Sequence, residues 1–394
     1  MGNFKYILIL LAMFLALFPS VSFSSDNASS GAIAGENGTT ELDFNEINKY
    51  IGQLDAEING VAPDIDFKQL VYKIARNEIS LKPQDIIKSA TKYLFRELVA
   101  NSSLLGKLII LAVICAVLKN LTSAFDRGST GQLSYMVTYL VLVTLAIGSF
   151  TVAASAGCEV VDRMVAFMQA VLPVLLTLLV AVGGFTAAAI FQPVVFASIA
   201  IIGTIIKSVI LPLILFSAVL VLASNLSSKF KVSNLAGLIR NIAMGLLGLM
   251  STVFLGVLSI QGVAGAVGDS VTLRTAKFAT DAFVPVVGGI FSDALEAIVS
   301  SSLLIKNAVG IAGVVVVLSI MLVPLVKIFC IAMIYKLAGA MIQPVEEEGQ
   351  IVDCLNDLGN SLLSIFAAVG TTGLLFFFTM TIIVAVGNLT VMLR

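Results

Sequence analysis

The chain has no histidine and no tryptophan, and only 4 of its 394 residues are cysteine. Without histidine there is no imidazole to act as acid or base near neutral pH. Ser-His-Asp and Cys-His nucleophiles and histidine-containing metal sites are excluded with it. The cysteines (Cys115, Cys158, Cys330, Cys354) are scattered with no CxxC, so buried apolar packing is expected of them rather than a disulfide framework. Charge is scarce too. Lys, Arg, Asp and Glu make up 12% of the residues, against about 25% in soluble domains. The net charge of −1 gives no positive field for nucleic acid, and none is expected as a partner. No Walker loop and no dinucleotide fingerprint occurs, so no cofactor is expected.

What is present is apolar. Hydrophobic residues reach 58% and the mean hydropathy is +1.05, more than a soluble fold can bury. The expected class is all-α, a polytopic integral membrane helical bundle carrying a short extracytoplasmic N-terminal helical segment, and not an enzyme. The lipid bilayer is its first partner.

The charges divide the chain into three parts. Residues 1–24 hold only Lys5, residues 25–100 hold 12 acids and 8 bases, and the remainder is sparsely charged. The first part has the layout of a secretory signal peptide: Lys5, an apolar run from Tyr6 to Phe18, and a serine-rich stretch in which Ser22-Phe23-Ser24 fits cleavage before Ser25. The run is shorter than the roughly 20 residues a span needs, which favours cleavage over an uncleaved anchor. In either case the segment from Ser25 onward lies outside the cytoplasm. Residues 25–40 read as a flexible leader. Beyond them Phe44, Ile47, Ile51 and Leu54 share one helical stripe, and Phe67, Leu70, Val71 and Ile74 share another. Pro83 can open a third helix with Ile86, Ile87, Leu94 and Leu98 on its apolar face. These amphipathic helices suit docking on a membrane or partner, or a self-contained helical cap.

Residues 101–394 form the multi-spanning membrane domain. Seven spans are expected: Leu104–Leu121, Leu133–Gly157, Met164–Phe191, Val194–Ala223, Ile242–Gly268, Asn307–Ile334 and Leu362–Gly387. Val284 to Ile305, interrupted by Pro285, Gly288, Gly289, Asp293 and Glu296, is expected to be a re-entrant or surface hairpin. Seven crossings put Arg394 in the cytoplasm and Glu346-Glu347-Glu348 outside, as the positive-inside rule prefers. The loop with Lys229, Lys231 and Arg240 then falls outside, against that rule. A break at Gly183-Gly184 or Gln192-Pro193, making one segment re-entrant, would flip it.

Several polar residues are candidates for a pathway or an interface. Lys207 and Lys327 lie deep in apolar runs, near Pro212 and Pro324, where a charge must face a cavity, pair or snorkel; Lys107, near a span end, reads as a snorkeller. Asp293 and Glu296, three apart, share a helix face and suit proton or cation movement or a solvated surface. Glycines recur three apart, Gly245 with Gly248, Gly262 with Gly265 and Gly268, and Gly310 with Gly313, the small-residue pattern of tightly packed membrane helices.

From about residue 90 onward the chain resembles the stage III sporulation protein AE family of endospore-forming bacteria. The resemblance rests on residues Leu238 to Gly245, Gln261 to Val267, Thr272-Leu273-Arg274-Thr275-Ala276-Lys277-Phe278 and Phe283 to Val286. Tyr335-Lys336-Leu337-Ala338 leading to Gln343-Pro344, and the ending Gly387 to Arg394, complete it. Arg274 to Lys277 is the most specific stretch. The resemblance implies a subunit of the channel complex joining mother cell and engulfed forespore, in the mother-cell-derived outer forespore membrane. Implied partners are other proteins of the stage III A operon, including a cytoplasmic ATPase and ring-forming proteins, and stage II sporulation protein Q; self-association as a homo-oligomer is a further expectation. The AE-type subunit would be the conduit or transporter-like core, needed for forespore development and late forespore gene expression. Arg274 and Lys277 would hold a hairpin at the membrane surface or meet an acidic partner. A stand-alone secondary transporter and a pore-less membrane scaffold remain the rivals.

Overall fold

The computed structural model describes residues 67–76, 92, 94–124, 129–226, 232–283, 288–344 and 350–392. Among them every element is helical. In chain order these are α1 (Phe67–Ala75), α2 (Ser102–Ala124), α3 (Ser129–Ala181), α4 (Phe185–Ile205), a π-helical segment (Ile206–Ile210), α5 (Leu211–Leu226), α6 (Ser233–Phe283), α7 (Gly288–Ile342) and α8 (Gln350–Met392). The signal peptide, the leader and the first amphipathic stripe lie outside the described residues.

Among the described residues, five stretches are long and apolar enough to cross a bilayer: Val137–Ala181, Phe185–Ser224, Ser233–Thr272, Ile298–Ile342 and Gln350–Met392. Leu94–Ala100 and Ser102–Leu118, bent by 47° at their junction, make a sixth if counted as one. The expected seven segments therefore map onto fewer, longer helices. Leu133–Gly157 and most of Met164–Phe191 are one continuous helix, because the polar stretch between them does not break the chain. Arg163 instead bonds Glu159 one turn back, and Asp162 bonds Lys207. The break falls at Gly183-Gly184, inside the expected Met164–Phe191 span, whereas Pro193 sits within α4 without interrupting it. The expected re-entrant hairpin at 284–305 is also corrected. From Gly288 onward this stretch is the first part of α7, with Gly288 and Gly289 at the helix start, where they interrupt nothing.

The α3–α4 turn has a local cause. Gly183 takes φ 94°, the left-handed region a side chain disfavours. Gly184 N–H donates to Leu179 O and Gly183 N–H to Val180 O, which satisfies the last carbonyls of α3. The turn is buried. At the π segment Pro212 has no N–H to offer Ser208, and the ladder widens so that Leu211 N–H reaches Ile206 O.

α7 and α8 run antiparallel and form the most extensive pair, with α3 alongside. The register can be followed from the end where α7 meets α8, the upper end, to the end at Gly183-Gly184, the lower. Tyr335 hydroxyl donates to Ala146 O at 2.7 Å, and Gly157 packs on Ile365 and Ile328. Further down, Gly313 meets Met380 and Val171, then Gly310 meets Val384 and Leu175, and last Gly387 meets Lys306 and Leu179. α1 docks on α7 through buried Val71 and half-buried Leu70 and Ile74, as the stripe predicted. Leu94 and Leu98 also face inward, and the Cys330 thiol lies 3.7 Å from Leu94 O. None of the four cysteines forms a disulfide, and Cys115, Cys330 and Cys354 are buried.

Candidate functional site

Polar side chains gather at three heights of the bundle. The lowest lies beside the α3–α4 turn. α4 begins at Phe185 with no side-chain cap of its own, so its first N–H groups need acceptors. Asp269 of α6 supplies both: Oδ1 accepts from Thr186 N–H at 2.6 Å and Oδ2 from Ala187 N–H at 2.9 Å. A carboxylate there also meets the positive end of the α4 dipole. Asp269 is buried, and the neighbouring Gly265 lets α6 approach closely, since a Cβ on it would stand 2.8 Å from Ala187 Cα.

At a similar depth, through the shared contact with Leu179, lies Lys306 of α7, with no exposed surface. Its Nζ donates to Val384 O of α8 at 2.8 Å. It fits only because residue 387 is glycine; a Cβ there would overlap Nζ and come within 2.9 Å of Cε. Among the described residues, the buried Oδ1 atoms of the adjoining Asn307 and Asn388, and Oε1 of Gln261, have no hydrogen-bond partner. The lower interior thus holds one buried cation and three unused acceptors. Such a group is tolerated in a membrane interior when it serves an ion or proton path, or when it fixes the packing.

The middle site is a charged collar. Lys207 Nζ donates to Asp162 Oδ2 at 2.6 Å and Arg163 pairs with Glu159, all on the outer surface of α3 and the π segment. Lys207 and Asp162 are about half exposed, at 51% and 53%. Lys327, half-buried on α7, stands beside Ile328, which touches Gly157, so both deep lysines lie near one height. The uppermost site joins Tyr335 to Ser149 at 2.6 Å and Lys336 to Asn360 at 2.8 Å, with Arg240 and Asp357 within electrostatic reach of Lys336.

The expected site residues are therefore not one constellation. Lys207 has a partner, which sequence spacing alone did not supply. Arg274 is exposed near the end of α6, whereas Lys207 lies on the π segment between α4 and α5. Lys277, Asp293 and Glu296 lie on α6 and α7, with side chains outside the described residues. Lys107 is exposed on α2, as a snorkeller would be. Sequence reasoning missed Lys306 and Asp269. Each stands one residue beyond an expected span, at Asn307 and Gly268, and so read as a flank. The available signal was a lone charge bordered by apolar residues on both sides of the assigned boundary.

Relatives give this arrangement a family. The sequence profile of stage III sporulation protein AE matches residues 65–387. The chain is 37% identical over 401 residues to stage III sporulation protein AE of Bacillus subtilis (strain 168), covering 100% of each chain. No solved structure matches. The match takes in all three polar heights, from Tyr335–Ser149 to Asp269, and the chain belongs to the stage III sporulation protein AE family.

Proposed function

We propose that this chain, a sporulation protein by family, is the membrane core of the channel complex linking mother cell and forespore, its conduit or transporter-like subunit. It would sit in the outer forespore membrane with residues 25–100 in the intermembrane space. There it would work with the cytoplasmic ATPase and ring-forming proteins of the stage III A operon and with stage II sporulation protein Q, supporting forespore development and late forespore gene expression. It would not be an enzyme itself; the energy would come from the separate ATPase.

The observation that carries this reading is Lys306, a cation with no exposed surface inside an apolar helical bundle, hydrogen-bonded to one carbonyl. A purely mechanical bundle would be served as well by an apolar residue, and replacing buried ionic groups by apolar ones is often neutral or stabilising. Full-length protein in liposomes should pass small ions, and Lys306→Met should reduce both that flux and a late forespore reporter in sporulating cells. Loss of flux with a normal reporter overturns the conduit reading.

The scaffold reading draws on a different observation. The α7–α8 seam is closed, with Met321 pressed on Gly373 and Val384 on Gly310. A conduit in this protein would therefore run between copies or along the outer walls rather than down that seam.

A further inference from the structure

At the uppermost polar height two cations converge. Lys336 of α7 lies across α8: its Cγ stands 3.1 Å from where a Cβ on Gly359 would be, and its Nζ reaches Asn360 Oδ1 at 2.8 Å. Arg240 of α6 approaches the same place. Gly262 of α6 meets Ile382 and Val386 of α8, so along this parallel pair Arg240 comes level with the turn from Asn360 to Ser364. Side chains lean toward the N-terminus of their own helix. For α6 that is the upper end and for α7 the lower, so Arg240 leans up and Lys336 leans down. The two are within electrostatic reach of each other, and Asp357, within the same reach of Lys336, offsets one of the two positive charges.

Donors are left over here. Among the described residues, Arg240 Nη1 is buried and has no hydrogen-bond partner, and Lys336 Nζ spends one of its three N–H groups, on Asn360. A buried guanidinium N–H is a costly group to leave unmade, because it carries charge, and it calls for an acceptor from outside the chain. The surplus positive charge makes that acceptor an anion. Its donors arrive from two helices and from different directions, which suits an oxyanion with more than two oxygens: a guanidinium fork takes a pair of them and an ammonium takes another. The place along the helices fits such a ligand. α6 is uncharged from Asn241 to Gly268 and α8 from Leu358 to Met392, so Arg240 and Asp357 are the first charges above those apolar stretches, the level at which lipid headgroups begin. Arg240, Lys336, Asp357 and Asn360 are all half-buried, so the site is open to a ligand from outside.

We propose that Arg240 and Lys336 form a binding site for an anionic phosphate group, carried by a lipid headgroup or free in solution. Arg240 grips the phosphate oxygens through its fork and Lys336 adds a further donor, while Asn360 holds the ammonium in place. Gly359 is required at its position because Lys336 must cross α8 there. An occupied site ties α6 and α7 together over α8 at the upper end of the bundle, so the ligand stabilises the fold. Such a site stands whether or not the protein conducts ions.

The test uses the full chain in a neutral detergent, with the melting temperature as readout. Two titrations are run at constant ionic strength: sodium phosphate against sodium chloride, and phosphatidylglycerol against phosphatidylcholine in mixed micelles. A saturable rise with phosphate and phosphatidylglycerol alike identifies a site for the phosphate group itself, and a rise with phosphatidylglycerol alone assigns it to a lipid headgroup. In Arg240→Gln the apparent affinity for the ligand that acts should fall by at least about tenfold, as the loss of a charged hydrogen bond implies. Arg240→Lys, which keeps the charge without the fork, should lose less. Lys107→Gln removes an exposed cation of α2 and should bind as the parent does. No rise with either ligand overturns the proposal, and so does an equal loss of affinity in Lys107→Gln, which would trace binding to general surface charge. Should Arg240→Gln fail to fold, Lys336→Met and Arg240→Lys decide: unchanged affinity in both sinks the site.

Discussion

Two sets of glycines in this bundle have opposite surroundings in space. Along the α7–α8 seam and on the lower part of α6, Gly310, Gly313, Gly387 and Gly265 are pressed against neighbouring side chains or backbone. On the upper half of α6, Gly245 and Gly248 border open space. The difference is one of partners. A small-residue motif makes close approach available, and only the helix that arrives decides whether it is used. The first set holds the bundle together, while the second is not used by any helix of the chain.

The sharpest way to break this contrast is Gly387→Val. The added methyls occupy the space of the Lys306 side chain, which must leave its carbonyl and remain buried without a partner. A loss of about 3–5 kcal/mol is expected for orphaning a buried charge, read from thermal melting in detergent. Combining it with Lys306→Ala should recover a large part, because the two residues share one space. If the double variant melts no higher than Gly387→Val alone, the clash is not the cause.

Next in size is Asp269→Ala, which leaves two N–H groups of α4 without acceptors beside the α3–α4 turn. About 1–3 kcal/mol should be lost. Amide exchange at Thr186 and Ala187 should rise while that of α8 stays slow; uniform acceleration would point to global loosening instead.

Lys207→Met should lower the melting temperature little, since its ion pair with Asp162 stands half in solvent and such pairs contribute little to stability. A large drop in melting temperature would show that the pair contributes more to the fold than its exposure suggests.

The smallest effect belongs to the open glycines. Gly245→Ala should leave the single copy unchanged or more stable by about 0.5–1 kcal/mol, the helix propensity difference, since no neighbour is displaced. A clear destabilisation would show that this face already touches something in the isolated chain.

How far the chain could be read in advance varies by region. The stripe Leu70, Val71, Ile74 and the long apolar stretches were legible, because burial follows periodicity and hydropathy. The number of helices was not. Cys158 to Arg163 looks like a loop in a hydropathy profile, yet the helix runs through it because each charge finds an opposite one within reach. The opposite error occurred at Gly288-Gly289, where glycines suggested a turn and the structure begins a helix.

Sequence alone determined that this is an all-helical membrane protein of the stage III sporulation protein AE family. Apolar surface on that scale has no stable place in water, and helices satisfy their backbone within lipid. Only the tertiary structure decided which polar residues meet. Asp269 caps a helix begun 84 residues earlier, and Lys306 finds a carbonyl 78 residues away at Val384. Such pairings depend on the register of antiparallel helices, which is set by packing across the seam and leaves no local mark in the sequence.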